Sequence, residues 1–223
     1  MERTPEPELM EDLEQARAYA EADFEEPNRL FVEEFMTRFA GWSGEGAILD
    51  LGCGPGDIVL RLARAYPGCR VHGLDGSASM LSFAEAALAD SGLGPRVRFV
   101  RGLVPGAGLP ERRYDAITSN SLLHHLHRPL VLWEAIRDLG APGAPVLVMD
   151  LIRPGTPARA RDIVEAYAAD EAPVLKTDFF NSLLAAFEID EVRYQLEEAG
   201  LDGLSVEPVS DRHLVAWGRL PGA

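Results

Sequence analysis

Three glycines on alternate positions follow a short apolar run in AILDLGCGPGD, residues 47–57, with carboxylates on either side at Asp50 and Asp57. An apolar run that breaks into glycines is the pattern of a buried strand turning sharply into a helix, leaving bare backbone for a ligand to approach. Another carboxylate, Asp75, closes the run RVHGLD, at the distance from Gly52 where a nucleoside site places a ribose acceptor. Further on, SLLHHLHRP sets His124, His125 and His127 just past the run YDAITSN. The first two groups fit recognition of a nucleoside, and the third fits general acid–base work.

The charges choose among nucleosides. A dinucleotide site reads G-x-G-x-x-G, with the pyrophosphate on a helix N-terminus. Here Gly52, Gly54 and Gly56 give G-x-G-x-G, Asp57 takes the third glycine's place, and no Lys or Arg lies within the loop. Two carboxylates beside a pyrophosphate repel it. A Walker loop is excluded because the chain has no GK[ST] after these glycines. S-adenosylmethionine carries no phosphate, only a sulfonium, an ammonium, a carboxylate and a ribose diol. Asp50 attracts the ammonium, the glycines take the methionyl chain, Asp75 accepts from both ribose hydroxyls, and Met80 offers a soft surface to the adenine.

Strands and helices must hold these residues in place. Apolar periodicity predicts helices over 10–23 and 27–42, then strands at 47–51, 70–75, 97–102, 114–120 and 144–152. Helices at 57–68, 77–92 and 128–143 fill three of the four gaps between these strands. That alternation implies a parallel sheet covered on both faces. Residues 156–188 interrupt the rhythm with extra helices, 189–200 is an amphipathic helix, and LSVEPVS and RHLVAWGRL close the chain as an antiparallel pair. The two N-terminal helices and the 156–188 helices are expected to form a cap over one edge. The chain reads as one domain over 1–223.

Composition excludes several classes. The net charge is −15, and residues 1–26 hold ten acids against Arg3 and Arg17. The only lysine is Lys176, so no basic footprint for nucleic acid exists. No apolar run reaches a membrane span, the acidic start is not a secretory signal, and two cysteines without metal-ligand spacing point to reduced thiols in a cytoplasm.

ILDLGCGPGD, VHGLDGSASML, YDAITSNSLLHHLHRP and LGAPGAPVLVMDL, in this order, resemble the successive motifs of the class I S-adenosylmethionine-dependent methyltransferases of the small-molecule branch. The resemblance covers roughly 45–152 well and the closing strands loosely. It implies a doubly wound, seven-stranded, mostly parallel Rossmann-like α/β sheet with an antiparallel last strand. The elements read along the chain divide the domain into N-terminal helices (1–44), a donor-binding core (45–152), a cap insertion (153–188) and a closing helix and strand pair (189–223). The resemblance also implies that Asp50, Gly52, Gly54 and Gly56 line the methionyl part, that Asp75 holds the ribose, and that Gly76 and Met80 lie near the adenine. Asn120 and Ser121 would approach the sulfur through their backbone. One position departs from the pattern. Leu103 stands where many relatives carry an acid for the adenine amino group, which leaves the backbone of Leu103 and Val104 to hold the base.

Methyl transfer needs alignment, desolvation and sometimes a base. His125 is the candidate base, with packing as the alternative for it and for His124. Tyr19, Asp23, His124, Phe180 and Asn181 are candidates for the acceptor pocket. DFFNS, at 178–182, reads either as pocket or as a helix start capped by Asp178 with its phenylalanines in the core. Arg153 could clamp an anionic acceptor, whereas Arg212 is expected to pair with surface acids. No metal is expected, because no cysteine or carboxylate accompanies the histidines at ligand spacing. The expected function is methylation of a small molecule by S-adenosylmethionine, releasing S-adenosylhomocysteine, in the cytoplasm, without nucleic acid or membrane partners. The alternatives are non-methyl chemistry of the same donor, such as carboxyl transfer, and a non-enzymatic donor-binding module. Oligomeric state is open, a homodimer included.

Overall fold

The computed structural model describes residues 1–7, 13–106 and 108–222. Positions 10–12 of the first expected helix lie outside the described residues. The chain order is α1 (Leu13–Glu21), α2 (Glu25–Arg38), β1 (Glu45–Leu51), α3 (Asp57–Ala65), β2 (Gly68–Asp75), α4 (Ala78–Ala89), β3 (Val97–Arg101) and β4 (Ala116–Asn120). A short 3₁₀ turn at Leu123–His125 follows. Then come α5 (Leu130–Leu139), β5 (Pro145–Leu151), α6 (Pro157–Tyr167), α7 (Pro173–Ala185), α8 (Ile189–Glu198), β6 (Ser205–Pro208) and β7 (His213–Arg219). Among the described residues, no helix is long and apolar enough to cross a membrane.

The seven strands form one sheet in the order β3-β2-β1-β4-β5-β7-β6, with β7 antiparallel to both neighbours. This is the expected doubly wound architecture. Alternation along the central strands builds its two cores. Ala47, Leu49 and Leu51 of β1, with Val146 and Val148 of β5, face the helices that carry Leu132, Trp133, Val192 and Leu196. Ile48, Leu147 and Met149 face the opposite side, with Phe31, Phe35 and Leu62. Trp133 is fully buried, and its indole N–H donates to Gln195 Oε1 at 2.9 Å, so its polar edge is satisfied.

Two expectations need correction. The N-terminal helices do not act together. α1 packs against α4 and α7, as a cap helix should. α2 instead sinks Phe31, Phe35 and Phe39 into the core beside α3, because its aromatic stripe is wide enough to cover the sheet. Gly68 does not end α3, which stops at Ala65; it opens β2, with Pro67 as the breaker between them.

The cap over the C-terminal ends of the strands consists of α6 and α7. Ala160, Ile163, Val164, Leu183 and Ala186 pack there against Leu151 at the end of β5. Thr156 caps α6, accepting from the amide of Arg159, and Pro157 occupies its first turn. β1 and β4 are neighbours, yet the chain leaves them in opposite directions across the sheet. That reversal opens a crevice beyond their C-terminal ends, the place where open α/β sheets bind ligands.

Candidate functional site

The crevice is a cavity of about 1050 Å³. One end is lined by Gly52, Gly54, Asp75, Gly76, Met80 and Asn120, the other by Glu6, His124, His125, Asp178, Asn181 and Ser182.

At the first end the three glycines serve different needs. All have positive φ, at 72°, 52° and 84°. A Cβ on Gly52 would meet Leu122 at 2.8 Å, and one on Gly56 would meet Phe99 at 2.6 Å, so both are kept small by packing. A Cβ on Gly54 would meet nothing within 4 Å; it would project into open space. Gly54 is therefore the glycine that leaves room for a ligand, while Gly56 does not line the main cavity and serves the turn into α3. Gly52 N and Cys53 N donate to Leu74 O at 2.8 and 3.0 Å, which ties the loop to the end of β2.

Asp75 sits under this loop. Its Oδ2 accepts from Gly54 N and its Oδ1 from Ser77 N, both at 2.8 Å. Each oxygen keeps a lone pair for a further donor, which suits a pair of vicinal hydroxyls. Burial raises its pKa, opposed by the two amides. Asp50 is buried at the end of β1, and Thr118 Oγ1 donates to it at 2.7 Å. Burial pushes its carboxyl up to about 7, partly offset by that hydrogen bond. A carboxylate so placed gains most from a cation in the adjoining space. That space is a second, smaller cavity, lined by Asp50 together with Tyr19, Gly52, Gly54 and Asn120. Asp57 borders the same smaller cavity but is already paired. It accepts from Asn28 Nδ2 at 2.8 Å and pairs with Arg61 at 2.6 Å, so the repulsion of a phosphate rests on Asp50 and Asp75 rather than on Asp57.

Ser121 has φ +56°, the only positive value outside glycine among the described residues. Its amide donates to Met149 O at 2.9 Å, which holds this unusual turn at the mouth of β4. Met80 is buried and Leu103 is 64% exposed, and both line the cavity, as do Val104 and Gly76.

The second end is built from long-range partners. His124 is buried, and its Nδ1 lies 2.5 Å from Asp150 Oδ1. Asp150 also accepts from the amides of Leu151 and His124. Burial works against charge on His124, but Asp150 and then Glu6 outweigh it and hold its pKa above the usual value. His124 Nε2 faces Glu6 Oε1 at 3.4 Å, and His125 Nδ1 faces the same oxygen at 3.3 Å. Ser182 Oγ donates to Glu6 Oε1 at 2.9 Å. Burial, aided by its neighbour His124, pushes His125 down to about 3, which leaves it neutral and weakly basic. The better-oriented imidazole is therefore His124, not His125.

Glu6 arrives on an N-terminal strap. Arg3 secures that strap, donating to Ala185 O, His124 O and Leu126 O at 2.5, 2.8 and 3.2 Å and stacking 4.0 Å from the ring centre of Phe187. No sequence pattern singles out Glu6, since it lies more than a hundred residues from the histidines it joins. Sequence spacing does not show the grouping the fold makes here: Glu6, His124 and His125 present ligand atoms within 4.8 Å of one another.

Of the expected acceptor residues, Tyr19, Asp23, His124 and Asn181 line the cavity. Asp23 also accepts from Glu25 N at 2.9 Å, steadying the start of α2. Phe180 does not line the cavity; it packs with the α6–α7 cluster beneath Arg161, and Phe179 faces the cavity instead. DFFNS lies in the middle of α7, so Asp178 is no cap; it accepts from Gln15 Nε2 at 2.9 Å and joins α1 to α7. Arg153 is engaged elsewhere, its guanidinium held by Glu191 and Glu188. Arg212 pairs with Asp211 as expected and also stacks 3.3 Å from the ring centre of Tyr167.

Residues 48–143 match the family described as a methyltransferase domain. An uncharacterized methyltransferase of Mycobacterium bovis is 31% identical over 111 residues, covering 50% of this chain and 53% of the relative. A demethylmenaquinone methyltransferase of Thermotoga maritima is 28% identical over 173 residues, covering 73% and 72%. A crystal structure of a SAM-dependent methyltransferase from Aquifex aeolicus superposes with a TM-score of 0.66 at 19% identity, covering 94% of this chain and 98% of that one. The chain spans about half the length of the first curated relatives it matches.

Proposed function

We propose that this chain is a class I S-adenosylmethionine-dependent methyltransferase and that it methylates a small-molecule acceptor held beside the Glu6–His124–Asp150 array. The observation that carries this reading is the single cavity joining the Gly54–Asp75 end to the His124 end. Bound there, S-adenosylmethionine supplies a sulfonium methyl whose S–C bond breaks as the acceptor's lone pair forms the new bond, leaving S-adenosylhomocysteine.

The residues of the chain have separable tasks. Asp75 takes the ribose hydroxyls, the bare backbone at Gly54 takes the methionyl chain, and Asp50 offsets the ammonium. Gly76 and Met80, with the backbone of Leu103 and Val104, take the adenine, and Asn120 and Ser121 border the reacting centre. The cap helices α6 and α7, with α1 and the N-terminal strap, exclude water and limit the acceptor to a small molecule; the quinone named for the Thermotoga maritima relative agrees with that class. Asp150 orients His124 toward Glu6, and the acceptor is held against this pair. Cys53 and Cys69 are buried free thiols, in keeping with a reducing cytoplasm.

The test is a screen of metabolite pools with a methyl-labelled donor, read by label transfer and by S-adenosylhomocysteine release. Transfer to a small molecule supports the reading. No binding of donor or product by calorimetry, or donor consumption without S-adenosylhomocysteine, overturns it.

A further inference from the structure

From the convergence of Glu6, His124 and His125 at the acceptor end of the cavity, we infer that these three side chains hold a divalent first-row transition metal. Zinc bonds to imidazole nitrogen and carboxylate oxygen run about 2.0–2.2 Å, which sets neighbouring ligand atoms about 3–3.5 Å apart around the ion. Glu6 Oε1 stands 3.4 Å from His124 Nε2 and 3.3 Å from His125 Nδ1, and all three ligand atoms lie within 4.8 Å of one another. Two imidazoles and one carboxylate with open positions are a ligand set that suits zinc, iron or manganese.

The surroundings agree with a metal site in three respects. Asp150, itself buried, engages Nδ1 of His124 and so aims Nε2 at Glu6, the carboxylate–histidine arrangement that orients metal ligands. Ser182 donates to Glu6 Oε1 and fixes the carboxylate, whose side chain is only 12% exposed. Arg3 pins the strap to the carbonyls of His124 and Leu126, which brings the third ligand to the first two. The three ligands line the cavity, so the remaining coordination positions face the space assigned to the acceptor.

An ion there would take an oxygen, nitrogen or sulfur lone pair of the acceptor and lower the pKa of a hydroxyl or thiol bound to it. The acceptor class is then one that presents such a coordinating atom. The rival occupant is a proton shared by His124 with its two carboxylates.

The metal's presence does not depend on methyl transfer, but its task rests on that reading, so the two are tested apart. The untagged full chain is stripped with chelator and titrated with Zn²⁺ alone and with Mn²⁺ alone, followed by calorimetry and by metal analysis after dialysis. We expect one Zn²⁺ per chain, bound more tightly than Mn²⁺. Glu6→Gln and His125→Ala should each weaken it at least tenfold, roughly as far as loss of an outer partner does. Thermal unfolding shows whether each variant is folded, and Glu6, on the strap, is the substitution least tied to the core. Co²⁺ in place of Zn²⁺ should give visible absorption bands that Glu6→Gln removes. No stoichiometric uptake, or uptake unchanged in folded Glu6→Gln, overturns the site in favour of the shared proton. Donor affinity measured on the same samples reports separately on the methyltransferase reading.

Discussion

The two ends of the cavity are built by opposite rules. The donor end is assembled from neighbours in sequence: a strand end, a glycine turn and the next strand end, with backbone amides making most of the contacts. Asp75 reaches Gly54 N and Ser77 N within one strand–helix–strand unit. The acceptor end is assembled from side chains of the strap, the 3₁₀ turn, β5 and α7: Glu6, His124, Asp150 and Ser182. A site made of local backbone has little room to vary. One made of distant side chains can change with any of its four contributors. The fixed end suits a common donor, and the variable end suits an acceptor particular to this chain.

The largest effect that can strain this comparison falls on the acceptor end. Asp150→Ala removes the buried partner of His124, which costs about 3–5 kcal/mol of stability, as breaking a buried ion pair does. Chemical denaturation measures this. In the protein that remains folded, donor affinity should be nearly unchanged. A matching loss of donor affinity would show that the two ends are not separable.

Next in size is a contrast between two glycines. Gly54→Leu should reduce donor affinity at least about a hundredfold, because the side chain enters the ligand space, with a strain of about 1–2 kcal/mol at its positive φ. Gly56→Leu adds overpacking against Phe99 and Ala84, about 1–3 kcal/mol beyond the same strain, so its loss appears first in thermal unfolding. Equal effects on binding and stability at both positions would dissolve the distinction between the ligand-facing and packing glycines.

The same division explains what could be read from the sequence. The strand–glycine–helix unit, the order of elements and the sheet class were legible because apolar periodicity and turn residues act within a few positions of themselves. His124 and His125 were legible as a pair, but not the ranking between them. That ranking follows from Asp150 and Glu6, and from the burial that depresses His125. Phe179 and Phe180 could not be told apart without the rotation of α7. Glu6 was hidden inside an acidic run that reads as solvated surface. The fold of Arg3 across the carbonyls of His124 and Leu126, with Thr4 N donating to Leu184 O, brings it inside.

Asp75→Ala should have a middling effect. Two hydrogen bonds from hydroxyls to a buried charged acceptor contribute about 1.5–3 kcal/mol each at most, and part is recovered from water in the open cavity. The expected loss is about 10–100-fold in affinity for S-adenosylmethionine and S-adenosylhomocysteine alike, measured by calorimetry. Unchanged affinity would remove Asp75 from the ribose.

The smallest effect is a pH dependence confined to the donor end. Asp50 has a carboxyl raised to about 7 by burial, so near neutrality it is roughly half protonated in the free protein. The donor's ammonium favours the ionised form. Binding at pH 7 should therefore release about half a proton, and affinity should rise with pH through 7 and level off above it. Below 7 a proton competes with the ammonium, and the loss approaches about tenfold per pH unit once Asp50 is mostly protonated. S-adenosylhomocysteine carries the same ammonium, so it should follow the same curve, whereas adenosine, which lacks the amino-acid portion, should not. Calorimetry in buffers of differing ionisation enthalpy measures the proton directly. Asp50→Asn should flatten both curves and lower affinity at high pH. If the proton release survives in Asp50→Asn, the titrating group lies elsewhere, and Asp50 only supports the turn through Thr118.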